Sequence, residues 1–300
     1  MGNAGAPGSA GRDAALTTAR LDACRHVQAL AYAACDDVAR QLQQGWSERR
    51  AAAALGEALR SRGVQEWFHT PFAWFGRRTA FRPARGAWTP AHFFPTNLRL
   101  VPGMPVILDV APIVDGVTAD VGYSCWYGTA PHPAYERLCD DLAVHRELIV
   151  DQVRAGRTMA QVARAVDRLA TEQGYRSAHR SYPFAVLAHR VATEQAAVPA
   201  SVRARTVGGF GLGAQRWLGR SLVASLRGRA GTPLWNDSAF AGRPPAAGLW
   251  AVEPHLALRD LGAKFEELLV VGDGEARWLD DDLPHVRRWR TRTVGAGVVS

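Results

Sequence analysis

Asp109 and Asp120 stand eleven residues apart in ILDVAPIVDGVTADVGYS, residues 107–124, a stretch that is otherwise almost wholly apolar. Between them lies Asp115-Gly116, a dipeptide suited to a two-residue hairpin turn. With that turn, Val114 faces Val117 and paired residue numbers sum to 231. Asp109 then opposes Gly122, and Asp120 opposes Ala111. Directly opposed residues share a face, and faces alternate along a strand. The two aspartates therefore point to one side as diagonal neighbours, with Cα atoms roughly 7–8 Å apart. The other face, Val110, Pro112, Val114, Val117, Ala119 and Val121, is apolar and builds core. Two close carboxylates in such a setting need a shared proton or a cation. Hard divalent ions suit oxygen ligands of this kind. The plainer alternative is a pair of surface aspartates on an edge hairpin.

A second acidic pair follows in WAVEPHLALRDLGAKFEELLVV. Glu253 and Glu266 are thirteen apart. A hairpin turning at residues 258–261 sets them opposite each other on one face and sends Glu267 to the other. His255 falls on the Glu253 face. Several histidines could add an imidazole: His189 on the apolar run PFAVLAHRVATE, His92 seventeen residues before Asp109, and His69 and His179 near the ends of two similar segments. Spacing alone does not rank them.

Those segments are VARQLQQGWSERRAAAALGEALRSRGVQEWFHTPF and IVDQVRAGRTMAQVARAVDRLATEQGYRSAHRSYPF. Gly45 and Gly63 are eighteen apart, as are Gly156 and Gly174. Ser47 and Thr158 open alanine-rich periodic stretches and read as helix N-caps. Gly63 and Gly174 read as C-terminal stops. Each half predicts a long helix (about 16–42 and 133–153), a turn, a second helix and then strands. An offset near 111 suggests pseudo-two-fold symmetry with a site between the halves.

The 300 residues are 47% hydrophobic and carry a formal charge of +8. Lys264 is the only lysine; every other fixed positive charge is arginine. The arginines are scattered through helical stretches, so nucleic acid is not an expected partner. No apolar run reaches membrane-spanning length, and the N-terminus lacks the pattern of a secretory signal. Cys24, Cys35, Cys125 and Cys139 form no CxxC and read as small hydrophobes in a reducing, cytoplasmic compartment. Residues 1–12 read as a disordered tail.

The ordered set Asp109, Asp120, His189, Glu253 and Glu266 resembles the metal-ligand order of the superfamily of methionine aminopeptidases, X-Pro aminopeptidases and prolidases. VEPH resembles its IEP motif, and AKFEELLVV its final-glutamate motif. The resemblance runs from about residue 16 to 290. It implies an α+β, creatinase-type "pita-bread" fold. Two pseudo-symmetric helix–strand halves would surround a curved, mainly antiparallel sheet, with residues 13–300 as a single catalytic domain. It implies two divalent ions (Mn, Co, Fe or Zn). Asp109 would chelate one, Asp120 and Glu266 would bridge both, and His189 and Glu253 would hold the other. A bridging water would be the nucleophile, and Glu253 the general base. His92 looks like the substrate-side histidine of the X-Pro branch and would assist at the scissile carbonyl.

The expected activity is that of a dinuclear metallohydrolase acting on a peptide, an aminopeptidase with Xaa-Pro bonds favoured over N-terminal Met. A C–N hydrolase of small non-peptide amides and a non-catalytic binding protein are the alternatives. The sequence departs from the family at AHRVA, where a GHGxG-like motif is usual. It departs again at Ala196, where a second histidine is usual, with His255 and His179 as candidate replacements. Residues 194–245 exceed the family's usual connection. Within them FGLGAQRW and GTPLWND are expected to form a lid or pocket wall. The separate N-terminal domain of larger members has no room in this chain.

Overall fold

The computed structural model describes residues 16–82, 93–191, 205–228, 231–272 and 274–296. The proposed tail at 1–12 lies outside them. Each half opens on a helix pair. In the first, α1 (Thr18–Gln41) leads to α2 (Glu48–Arg60). In the second, α3 (Pro133–Arg154) leads to α4 (Met159–Glu172). The turn between helices needs a left-handed residue, supplied by Gly45 (φ 87°) and Gly156 (φ 68°). Ser47 Oγ then accepts from the Arg50 N–H at 3.1 Å. Thr158 and Gln161 form a reciprocal capping box. Past Gly63 and Gly174 the exits also match. The Val64 N–H returns to the Leu59 carbonyl at 3.1 Å, and the Tyr175 N–H to that of Ala170 at 2.7 Å.

The strands are β1 (Glu66–Phe75), β2 (Met104–Val114), β3 (Val117–Thr118), β4 (Val121–Tyr127) and β5 (Arg176–Ser177). Then come β6 (Ala188–Arg190), β7 (Thr206–Val207), β8 (Phe210–Gly211), the helix α5 (Leu212–Leu226) and β9 (Leu234–Trp235). The chain closes with β10 (Gly248–Val252), β11 (His255–Leu258), β12 (Leu261–Lys264), β13 (Glu267–Val271), β14 (Ala276–Trp278) and the helix α6 (Pro284–Ala296). One sheet runs β3-β2-β1-β8-β7, with β4 also on β2; a second runs β14-β13-β10-β6-β9; a third runs β12-β11-β5. Every described strand pairing is antiparallel.

Burial follows the two halves. Ala31, Val38, Leu55 and Leu59 of the first helix pair pack on Phe75, Val106 and Leu108 of the first sheet. Leu138, Ile149, Val162 and Val166 of the second pair pack on Trp250, Leu256 and Leu269. The buried Glu48 carboxylate ties the layers together. It accepts from the Phe75 N–H at 3.0 Å, Arg78 Nε at 2.8 Å and the Thr96 N–H at 2.8 Å. The end of β1 and the approach to β2 are thereby pinned to the start of α2. All four cysteines are free thiols. Among the described residues no helix is long and apolar enough to cross a membrane.

Candidate metal centre

The first hairpin forms in the register expected. Asp115 (φ 48°) and Gly116 (φ 75°) make the turn, and Asp109 pairs with Gly122. The return arm breaks between β3 and β4, and Asp120 sits at the break. The second hairpin also keeps its register. Val252 pairs with Glu267, and His255 with Lys264. Glu253 and Glu266 thus face each other across the gap where the strands pass from one sheet to the next. A single bridge, Gly122 to Glu266, joins the two hairpins. His189 enters from β6, which pairs with β10 at Ala251.

These placements bring all five expected side chains into one buried cluster. His189 Nε2 lies 3.1 Å from Asp120 Oδ2 and 4.0 Å from Glu266 Oε1. Three overlapping groups of ligand atoms fall within 4.8 Å of one another: His69, Asp109 and Asp120; Asp120, His189 and Glu266; Asp109, Glu253 and Glu266.

Two members were not assigned to the centre by sequence. His69 Nε2 lies 3.2 Å from both Asp109 Oδ1 and Asp120 Oδ1. It reaches them because β1 changes register on either side of His69 against β2. Pro71 has no N–H for the ladder, and the Thr70 N–H goes instead to the Gly209 carbonyl at 2.7 Å. Such irregularities re-aim side chains. The signal in the sequence was a proline two residues after a histidine in an apolar strand. The other member is Lys264. Its Nζ lies 2.7 Å from Asp109 Oδ2, 2.8 Å from Glu253 Oε2 and 2.8 Å from Glu266 Oε2. It lies on the same face as Glu266 because the two are separated by one strand period.

The charge in this cluster is tightly coupled. Burial alone would raise the pKa of Asp120, yet the adjacent imidazoles of His69 and His189 hold it below the ordinary carboxylate range. Burial, with Asp120 and Glu253 beside it, pushes Glu266 well up despite Lys264. Burial also raises Glu253, with Lys264 opposing. Lys264 stays charged against its own burial because Asp109, Glu253 and Glu266 surround it.

The donor set fits a divalent cation. His69 Nδ1 faces the Thr70 carbonyl at 2.9 Å, and His189 Nδ1 faces the Arg190 carbonyl at 3.3 Å. A carbonyl only accepts, so each Nδ1 carries the proton. In a neutral ring, Nε2 then presents a lone pair. Both lone pairs point at carboxylate oxygens, an arrangement that demands either a second proton or a cation. Tying Nδ1 to a carbonyl is how proteins orient metal-binding imidazoles. Asp109 Oδ1, buried, has no hydrogen-bond partner, although His69 Nε2 lies 3.2 Å away.

The other histidines resolve differently. His255 sits between the Tyr182 hydroxyl at 2.7 Å and the Thr79 carbonyl at 2.7 Å. His179 is paired with Asp167 at 3.3 Å. Neither joins the ligand groups or lines the cavity; the further imidazole that reaches the carboxylates is His69. His92 and Ala196 lie outside the described residues. Glu267 turns away from the centre, as parity requires, and is held by Arg146 and His285.

An aromatic cavity of about 270 Å³ opens beside the carboxylates, walled by Phe68, Phe72, Phe93, Tyr182 and Phe210. The segment expected as a lid or wall contributes to it. Ala214, Gln215 and Leu218 of α5 line the cavity, as does Leu234 of the GTPLWND stretch. β8 adds to the edge of β1 at His69.

Comparison with solved structures places the fold among pita-bread enzymes. An X-Pro aminopeptidase from Thermotoga maritima superposes with a TM-score of 0.63 at 15% identity, over 90% of this chain and 62% of its own. A prolidase from Pyrococcus furiosus gives 0.61 at 15%, over 88% and 64%. A dipeptidase from Mycobacterium ulcerans gives 0.59 at 20%, over 90% and 59%. The chain thus spans about three-fifths of the length of these structures. No curated protein sequence gives a significant match. Residues 22–273 match the model of metallopeptidase family M24, and on that match the chain belongs to this family.

Proposed function

We propose that the protein is a metal-dependent hydrolase that cleaves a peptide bond next to a free N-terminus, with Xaa-Pro substrates favoured over N-terminal Met. The observation that carries this reading is the convergence of Asp109, Asp120, His189, Glu253 and Glu266 beside an aromatic cavity. A divalent ion held within this cluster would supply Lewis-acid polarisation and a lowered pKa for water. The chain supplies the rest. Glu253, buried and with a raised pKa, is suited to accept a proton from the attacking water and return it to the leaving amine. The rings of Phe68, Phe72 and Phe210 exclude bulk water and offer an apolar surface to a proline ring or hydrophobic side chain. His69 holds Asp109 and Asp120 in place from the cavity side.

The test is a panel of X-Pro and N-terminal Met peptides, assayed by mass spectrometry after reconstitution with Mn, Co, Fe or Zn. Release of single N-terminal residues, fastest from X-Pro peptides, is expected. Turnover of small amides with no peptide cleavage would instead identify the non-peptide C–N hydrolase. Inactivity on every substrate with metal bound would overturn the hydrolase reading.

A further inference from the structure

We infer that the ammonium group of Lys264 takes the place of one of the two ions implied by the resemblance, so that the chain binds a single divalent ion, where His69 and His189 face Asp120. This rests on the metal-dependent reading of the site. The Lys264 ammonium donates hydrogen bonds to Asp109 at 2.7 Å and Glu253 at 2.8 Å and ion-pairs with Glu266 at 2.8 Å. A divalent ion bound by those same oxygens would sit about 2.0–2.2 Å from each. It would overlap Nζ, so that point holds one cation or the other.

The fold is shaped for the lysine. A Cβ at position 122 would lie 2.3 Å from Lys264 Cε, so the bare Gly122 backbone makes room for the side-chain stem. The Ser124 hydroxyl clamps the Lys264 backbone from both sides, accepting from its N–H at 2.9 Å and donating to its carbonyl at 2.7 Å. The Tyr182 ring closes over Nζ at 5.4 Å. The sequence adds an independent argument. Of 36 basic residues 35 are arginine, and the one lysine stands here. A compact ammonium with three donors suits a cage of three carboxylates.

The opposite side remains open to an ion. There His69 Nε2 lies 3.2 Å from Asp120 Oδ1 and His189 Nε2 lies 3.1 Å from Asp120 Oδ2, in two ligand groups that share Asp120, and Asp109 Oδ1 lacks a hydrogen-bond partner. Four carboxylates carry a formal −4. Lys264 and one divalent ion return +3, which leaves a formal −1 on the cluster.

Mn(II) titration of the full chain, followed by elemental analysis and electron paramagnetic resonance, tests this directly. The wild type should saturate at one equivalent with the six-line signal of an isolated ion. Lys264→Met, which keeps the stem but not the charge, should admit a second equivalent and give an exchange-coupled signal. His69→Gln should weaken the single site at least about tenfold. Two ions of similar affinity in the wild type would overturn the inference, even if Lys264→Met failed to fold. So would one ion in a folded Lys264→Met, or unchanged affinity in His69→Gln. Binding of one ion without peptide cleavage would sink the proposed activity and leave this inference standing; cleavage with two bound ions would do the reverse.

Discussion

Asp120 is the side chain on which the centre turns. One of its oxygens faces His69 and the other His189, and it belongs to two of the three ligand groups. Replacing it leaves both imidazole Nε2 atoms without their shared partner. Asp120→Ala should therefore lose bound divalent metal and activity together, with Mn(II) affinity falling by more than about 100-fold. Elemental analysis beside circular dichroism measures this, and a folded variant that keeps its metal would contradict the role. At this scale the sequence was informative wherever period two applied. It put Asp109 and Asp120 on one face and chose Glu266 over Glu267. It was uninformative for His69, whose position depends on the register shift around Pro71 and on contacts to residues 40 and 51 positions later. The role of Lys264 was hidden for a different reason. Its strand face was readable, but that its ammonium fills the cage depends on the bare backbone of Gly122 on another hairpin.

The elements hold these groups by pinning what lies behind them. Glu267 follows Glu266 and points the opposite way into a buried fork. Arg146 of α3 donates Nε to Oε1 at 2.7 Å and Nη2 to Oε2 at 3.1 Å. His285 of α6 lies 2.9 Å from Oε1, and the guanidinium also stacks on Trp278 at 4.9 Å. The fork thus fixes the start of β13 and, one residue earlier, the direction of Glu266. Losing one partner of a buried ion pair strands the other charge and costs about 3–5 kcal/mol. Arg146→Met should lower the stability of the metal-free protein by that order in urea denaturation. Arg146→Met with Glu267→Gln should recover much of it, since no charge is then stranded. A loss below about 1 kcal/mol in the single variant would mean that the fork does not hold β13. The hairpin registers at both acidic pairs were legible because one face of each is core and the turns are short. The passage of the second hairpin from sheet to sheet between Val252 and His255 was not. That break depends on which neighbours, β6 or β5, each half of the strand finds.

Across the whole molecule, the two helix–turn–helix units repeat at the offset read from the glycines, and each covers its own set of strands. The equivalence ends in the buried side chains. The first unit ties itself to the sheet through Glu48. The second buries His145, whose Nε2–H donates to Gln173 Oε1 at 2.8 Å while Nδ1 has no partner. Burial pushes its pKa down to about 4. Nearby His179 also lowers it, and Gln173, Asp141 and Asp167 oppose. The unfolded chain holds this imidazole near its ordinary value of about 6.5 and so binds the proton more readily than the folded chain does. The stabilising contribution of a neutral His145 is thus complete above about pH 6.5 and is lost progressively as pH falls toward 4. Over the full window the shift is worth about 3 kcal/mol at most. His255, also buried with its pKa depressed well below the usual value, acts with the same sign, so the test must be differential. His145→Leu should show a shallower decline in urea midpoint than the wild type between pH 7 and pH 4, with the two curves converging toward the acid end. Parallel curves would show that His145 takes up its proton equally in both states, and His145 would then contribute nothing to the acid sensitivity of the fold.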